Sequence, residues 1–184
     1  MIPGAGLLAS LSKSISDEGV ALLQDFEGEV LWPYLCDAAK VTIGYGHVMS
    51  DDDLAPFGMA YAGVKARLLT VPGPWNWKKF QGLVPVLITH EQSTRMFRRD
   101  LARFEDVVNA SVTVPLTQHQ FDALVSLAFN IGTVRFASST LVRLLNAGDS
   151  LAVEQFHVWR MADGKVNAKL VARRKREADL FSRV

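Results

Sequence analysis

The run Phe26-Glu27-Gly28-Glu29-Val30-Leu31-Trp32-Pro33-Tyr34-Leu35-Cys36-Asp37-Ala38-Ala39-Lys40-Val41-Thr42-Ile43-Gly44-Tyr45-Gly46-His47 sets a carboxylate, a thiol and a hydroxyl within a short span. Upstream of it, Ser16 precedes Asp17 and Glu18, the order of an N-cap followed by acids in a first turn. Val20, Leu22, Leu23 and Phe26 recur at helical spacing and Gly28 supplies a stop. Glu27 therefore falls in the last turn of a helix, where the macrodipole disfavours negative charge. Apolar neighbours are expected to desolvate it as well, and both effects favour a carboxyl group that keeps its proton, as a general acid must. Leu31 to Tyr34 reads as an edge strand, because Pro33 has no N–H to donate to a second neighbour. Val41 to His47 alternates and is punctuated by glycine, so it reads as a strand, with Cys36 to Lys40 as the turn of a small hairpin. Gly44 and Gly46 permit close approach by another element or by a ligand. On this reading Glu27, Cys36 and Thr42 can face one cleft.

Working outward toward the N-terminus, Met1 to Ser10 has no basic leader, and its apolar stretch is broken by Pro3 and Gly4, which makes a poor signal peptide. No run approaches the roughly 18 apolar residues that span a bilayer, so a target outside the cytoplasm requires a separate release route. The 184 residues, 49% of them apolar, suit one domain or two small lobes. A lone cysteine forms no internal bridge, and Cys36 is either a buried apolar residue or a functional thiol. Net charge is +1, but residues 1–60 hold two Lys or Arg against nine acids, whereas residues 156–184 hold eight against three. Such a basic end is either a solvated helix face or a surface for an anionic polymer.

Downstream, Ser50 stands before Asp51-Asp52-Asp53 as a cap over a solvated charge run, and the oxygen-ligand pattern of a calcium loop is absent. Residues 54–88 are the least regular stretch; Trp75-Asn76-Trp77-Lys78-Lys79-Phe80 either stacks on sugars, sits at a membrane interface or pins an insertion onto the domain. Thr89-His90-Glu91-Gln92 fits a capping box. Met96, Phe97, Leu101, Phe104 and Val108 then give a long amphipathic helix with Arg95, Arg98, Arg99 and Arg103 about its polar side. Thr117 to Gln120 repeats the capping signal, and Phe121 to Ile131, apolar on more than one face, is expected to be the buried central helix. Ser138 or Ser139 caps a further helix ended by Gly148, Asp149 or Ser150 starts the next, and Asp163-Gly164 turns the chain into a last basic helix.

The order Glu27, eight residues, Cys36, five residues, Thr42, then Ile43-Gly44-Tyr45-Gly46-His47, resembles the active-site signature of the phage-type lysozymes, the endolysins of glycoside hydrolase family 24. Leu116 to Ser126, Phe129-Asn130-Ile131-Gly132, Ser139-Thr140-Leu141, Leu145 to Asp149, and Leu170 to Arg174 followed by Glu177 are similar to the same family. The resemblance covers roughly residues 16–50 and 89–182.

What the resemblance implies is a mostly α-helical α+β fold of two lobes. A small N-terminal catalytic lobe with a β-hairpin (16–53), an insertion (54–88), a linking helix (89–108) and a helical C-terminal lobe (109–184) form one lysozyme-like catalytic domain. The implied activity is that of a muramidase cutting the β-1,4 bond between N-acetylmuramic acid and N-acetylglucosamine. Glu27 is then the catalytic acid, Thr42 positions the attacking water, and Cys36 occupies the place of an aspartate. Gly46, Val48, Phe129, Asn130 and Ser139 are implied substrate contacts. His47 supports the site, and Arg173 or Arg174 offers a basic partner to Glu27. Asp37 as an alternative carboxylate is disfavoured, since adjacent hairpin positions point to opposite sides.

No metal or cofactor is implied. The expected partner is bacterial peptidoglycan, without nucleic acid or a membrane span. The protein is expected to be a monomer that accumulates in the host bacterial cytoplasm and reaches the wall through a holin pore. Because glycoside cleavage ordinarily uses two carboxyl groups, the missing second one keeps open a lytic transglycosylase. A different class is also open: a wall-degrading or wall-binding module of a delivered effector or phage structural protein, motivated by the tryptophan-rich insertion.

Overall fold

A computed structural model describes residues 12–73 and 76–183. Met1 to Ser10 and Trp75 lie outside them. The chain divides into two compact units, one formed by Val20–Ala102 and the other by Met1–Gly19 with Arg103–Val184.

The unit Val20–Ala102 holds most of helix α1 (Asp17–Glu27), then strands β1 (Val30–Leu35), β2 (Val41–Gly44) and β3 (His47–Val48), short helix α2 (Asp51–Leu54), helix α3 (Tyr61–Leu68) and the start of α4 (His90–Ser111). The three strands form an antiparallel sheet in the order β1-β2-β3, so β1 is an edge. Pro33 sits where the register slips between the pairs Val30–Gly44 and Tyr34–Thr42, which spares the ladder a missing donor. The single strand expected over Val41 to His47 is in fact two. Tyr45-Gly46 turns the chain, Gly46 at φ 89°, and β2 is buried at every position as the central strand.

Residues 54–88 contribute to the core of this unit. The core of this unit is Leu35, Val41, Ile43, Met49, Leu54, Val64, Leu68, Phe80, Val84, Val86 and Ile88, of which seven of eleven come from that stretch. Its irregular appearance in the sequence reflects short elements, α3 and two 3-10 turns at Ala55–Phe57 and Trp77–Phe80, that bury single apolar residues instead of a continuous stripe. Both expected caps formed: Ser50 with Asp53, and Thr89 with Gln92, each exchange side-chain and backbone hydrogen bonds.

The other unit is helical. α5 (Gln118–Ile131) begins with a capping box between Thr117 and Gln120 and buries every residue from Phe121 to Ala128, as its all-round apolar pattern required. α6 (Thr133–Ala137), α7 (Thr140–Asn146) capped by Ser139, a 3-10 segment (Ser150–Val158) capped by Asp149, and α8 (Ala168–Phe181) pack around it. α6 has no side-chain cap and a single buried residue, Phe136, so its local sequence carries no helix signal. Asp163-Gly164, both at positive φ, is the turn of a two-stranded ribbon of β4 (Met161–Ala162) and β5 (Lys165–Val166), a hairpin that its Asp-Gly signal could have disclosed. Within this unit the start of α1 is tied down by Asp122 of α5, fully buried, which accepts hydrogen bonds from the Ser16 N–H at 3.0 Å and from the Ser16 hydroxyl.

Candidate active site

Helix α1 ends where the sequence asked it to. The Gly28 N–H donates to the Gln24 carbonyl at 3.1 Å, and Gly28 takes φ 72°, the left-handed conformation that turns the chain out of the helix into β1. Glu27 is thereby the last helical residue. The expected apolar enclosure is absent: Glu27 is exposed, because the stripe that buries Val20 and Leu23 lies on another face of the helix.

The hairpin that follows brings Cys36 and Thr42 together. Its turn closes through Cys36 N–H to Lys40 O at 3.1 Å and Ala39 N–H to Cys36 O at 2.8 Å. Thr42 faces Tyr34 across the ladder, is 2% exposed, and donates its hydroxyl proton to the Lys40 carbonyl at 3.0 Å. Partial burial works to raise the proton affinity of the half-buried Cys36 thiol. Hydrogen bonds from the Lys40 backbone, the Thr42 side chain and the backbone of Ala38 and Cys36 itself outweigh it, and the thiol lies below its ordinary value. Tyr34 shows the opposite shift. Burial raises it first, and the neighbouring Cys36 and Glu27 raise it further, so the phenol keeps its proton. Nothing in the sequence singled out Tyr34; its only signal was its place directly opposite Thr42.

The two glycines of the hairpin divide the alternatives left open for them. A Cβ on Gly44, at φ 64°, would come within 2.7 Å of the Ser93 hydroxyl of α4, so that glycine serves close packing. Gly46 has open space around it and is exposed, as is Val48. His47 is held on both sides: Nδ1 meets Asp100 of α4 at 2.9 Å and Nε2 meets Asp53 of α2 at 3.1 Å. The hydrogen bond to Asp100 raises its proton affinity against the opposing effect of burial, and Asp53 adds to the rise. It orients two structural acids, joining the sheet to α2 and α4. Asp53, read from the sequence as part of a solvated run, is instead half-buried, held by Ser50 and His47 and 3.5 Å from Arg99.

The remaining candidates lie in the helical unit. Phe129 is half-buried with its ring against Phe104, centroids 5.1 Å apart and nearly edge-on. Asn130 is exposed and its Oδ1 accepts from Arg174 Nη2 at 3.0 Å. Ser139 is buried, and its hydroxyl caps α7 by accepting from the Val142 N–H at 3.2 Å.

Arg173 and Arg174 are not part of a solvated basic face. Both are buried against Glu177, Arg173 Nε at 3.1 Å and Arg174 Nε at 2.9 Å, and Ser126 donates to the same carboxylate at 2.6 Å. Burial lowers the Arg174 value to about 10, against the support of Glu177. The i+3 and i+4 spacing of Glu177 from the two arginines was the legible sign of this cluster. Among the described residues no group of His, Cys, Asp and Glu is arranged to hold a metal ion.

The chain matches the phage lysozyme family model over residues 24–177. It is 34% identical to the endolysin of Acyrthosiphon pisum secondary endosymbiont phage 1, over 91% of this chain and 97% of that one. It is 36% identical to the endolysin of Salmonella phage P22, again over 91% of this chain and 97% of that one. A crystal structure of a P22 lysozyme mutant superposes with a TM-score of 0.72 at 34% identity, covering 92% of this chain and 98% of the other. A match spanning Glu27, the hairpin and the Arg174–Glu177 cluster in one alignment leaves no ambiguity of fold or kind: this chain belongs to the phage lysozyme family.

Proposed function

We propose that the chain hydrolyses the β-1,4 bond between N-acetylmuramic acid and N-acetylglucosamine, with Glu27 as the proton donor and Cys36 and Thr42 as its partners. That it is a peptidoglycan hydrolase of the lysozyme class follows from its family; the bond, the residue roles and the release route are the proposal. The observation that carries it is a hairpin that sets Thr42 opposite Tyr34 and closes its turn on Cys36, directly after the helix that ends at Glu27.

In this reading the Glu27 carboxyl gives its proton to the glycosidic oxygen as the bond to the anomeric carbon breaks. Water adds at that carbon, and its proton passes to a base. The Thr42 hydroxyl hydrogen serves the Lys40 carbonyl and the Cys36 sulfur, so toward the attacking water Thr42 presents lone pairs and acts as an acceptor. Cys36, its proton affinity lowered by its hydrogen bonds, is the group that takes the proton of the water, in the place of the second carboxyl group this chemistry ordinarily uses.

Mass spectrometry of digested peptidoglycan tests the reaction. Hydrolysis leaves reducing muramic ends; 1,6-anhydro ends would instead assign a lytic transglycosylase, the reading favoured by a thiol where a carboxylate is usual. Retention on insoluble wall without released fragments would indicate a binding module. The wall is reached, in this proposal, from the bacterial cytoplasm through a holin-type pore and by a monomer. No helix among the described residues is long and apolar enough to cross a membrane. Lysis on cytoplasmic expression only when a holin is co-expressed is the expected result, and lysis without one would overturn that route.

A further inference from the structure

Glu27 stands between two residues of its own stretch that are tied to α4. Before it, the Gln24 side-chain amide donates to the Thr94 hydroxyl at 3.0 Å. After it, the Glu29 carboxylate, only 14% exposed, pairs with Nδ1 of His90. The left-handed Gly28 between Glu27 and Glu29 is a soft joint in the backbone, and a Glu29 held by its side chain stiffens it. His90 and Thr94 belong to a stripe of α4, with Ser93 and Phe97, at the i, i+3, i+4 and i+7 spacing that brings residues to one helix face. The other two members meet the hairpin. Buried Ser93 lies against Gly44, where a Cβ would come within 2.7 Å of its hydroxyl, and buried Phe97 packs on the Tyr45 ring with centroids 5.2 Å apart. Tyr45 also reaches back to Glu29: burial first, then the charge and hydrogen bond of that carboxylate, keep its phenol protonated. One face of α4 thus holds both the end of α1 and the turn between β2 and β3.

We propose that the contacts Gln24–Thr94 and Glu29–His90 are positioning contacts for catalysis, which together fix the direction in which the Glu27 carboxyl leaves the end of α1 relative to the hairpin that carries Cys36 and Thr42. The inference rests on the reading of Glu27 as the proton donor. His90 is 81% exposed, and an ion pair so open to water adds little to stability. What the pair supplies is geometry: a displacement of about 1 Å at a reacting group costs up to about a hundredfold in rate. The four tied residues act through the backbone on either side of Glu27.

The test is steady-state hydrolysis of soluble peptidoglycan fragments by Thr94→Val, which removes the acceptor for Gln24 at nearly constant shape, and by His90→Ala, with Glu27→Gln measured alongside. Each of the first two is expected to lower kcat by about tenfold with KM little changed. Thr94→Ser and His90→Lys, which keep an acceptor for Gln24 and a donor for Glu29, are expected to recover most of the loss. Wild-type kcat in both Thr94→Val and His90→Ala overturns the inference. So does a loss that vanishes when the assay is run well below the melting temperature, or one that the conservative variants fail to relieve, because those mark a purely structural role. If Glu27→Gln is inactive while Thr94→Val and His90→Ala match the wild type, the positioning contacts alone fail; if Glu27→Gln turns over at the wild-type rate, the proton-donor reading fails and takes this inference with it.

Discussion

Arg174 donates through Nη2 to Oδ1 of Asn130 at 3.0 Å, from a guanidinium that is itself fully buried on Glu177. An arginine has only donors, so this contact fixes which end of the Asn130 amide faces inward. What Asn130 can present to a substrate is its N–H₂ group, and the partner it selects is an acceptor such as an acetamido carbonyl. Asn130→Asp keeps a partner for Arg174 but replaces that donor by an acceptor. It is expected to lower kcat/KM on purified peptidoglycan by about tenfold, the effect of one lost hydrogen bond in a site built for it, with little change in melting temperature. Wild-type turnover in this variant would remove Asn130 from the substrate contacts.

Cys36 should leave its mark on the pH profile. Its thiol lies below the ordinary thiol value because hydrogen bonds from the Lys40 backbone and Thr42 outweigh the opposing effect of burial. Activity is expected to rise with pH as the anion forms, on a limb below the usual thiol range of about 8.5. Cys36→Asp should move that limb into the carboxylate range with activity kept, Cys36→Ser should abolish it, and Cys36→Ala should cost about a hundredfold in kcat, within the usual range for a positioned acid or base. A limb that stays in place in all three variants belongs to another group.

The His47 bridge makes a stability prediction with a definite sign. The folded histidine value is raised above 6.5, by the Asp100 hydrogen bond first, so the stability contributed by the protonated ring is fully present below 6.5 and is lost as pH rises through the folded value. Asp53 is lowered from 3.8, its hydrogen bonds to Ser50 and His47 overcoming burial, so its share is present above 3.8 and is lost as pH falls through the folded value. His47→Gln should therefore cost about 1–3 kcal/mol near pH 5.5 and clearly less near pH 9, as read from urea denaturation. A cost independent of pH would show that the ring acts by shape alone.

Phe80 measures whether residues 54–88 are structural. With 1% exposure in the core of its unit, Phe80→Ala should destabilise by about 3–5 kcal/mol, and the chemical denaturation midpoint reports it. A loss under about 1 kcal/mol would show that the stretch adds little to the stability of its unit.

The elements whose chemistry is local were readable from the sequence. The caps at Ser50, Thr89, Thr117 and Ser139, the stop at Gly28 and the buried run from Phe121 to Ala128 each follow from a few neighbouring residues. What escaped depends on partners distant in the chain. That Ser126 of α5 would donate to Glu177 between Arg173 and Arg174 was not readable in α8 itself, and for Trp77 the sequence left stacking, interfacial and pinning roles open, whereas its packing on Trp32 is visible only in the fold. The spacing of Glu27, Cys36 and Thr42 was visible from the start, but the exposure of Glu27 was not, because the face a terminal residue presents depends on where the helix packs.

The most direct measurement is reducing-end release from purified peptidoglycan by the wild-type protein and by Glu27→Gln, with the fragments identified by mass spectrometry. Reducing muramic ends are expected from the wild type and none from a folded variant of unchanged melting temperature. A Glu27→Gln protein that releases those ends at the wild-type rate would contradict it.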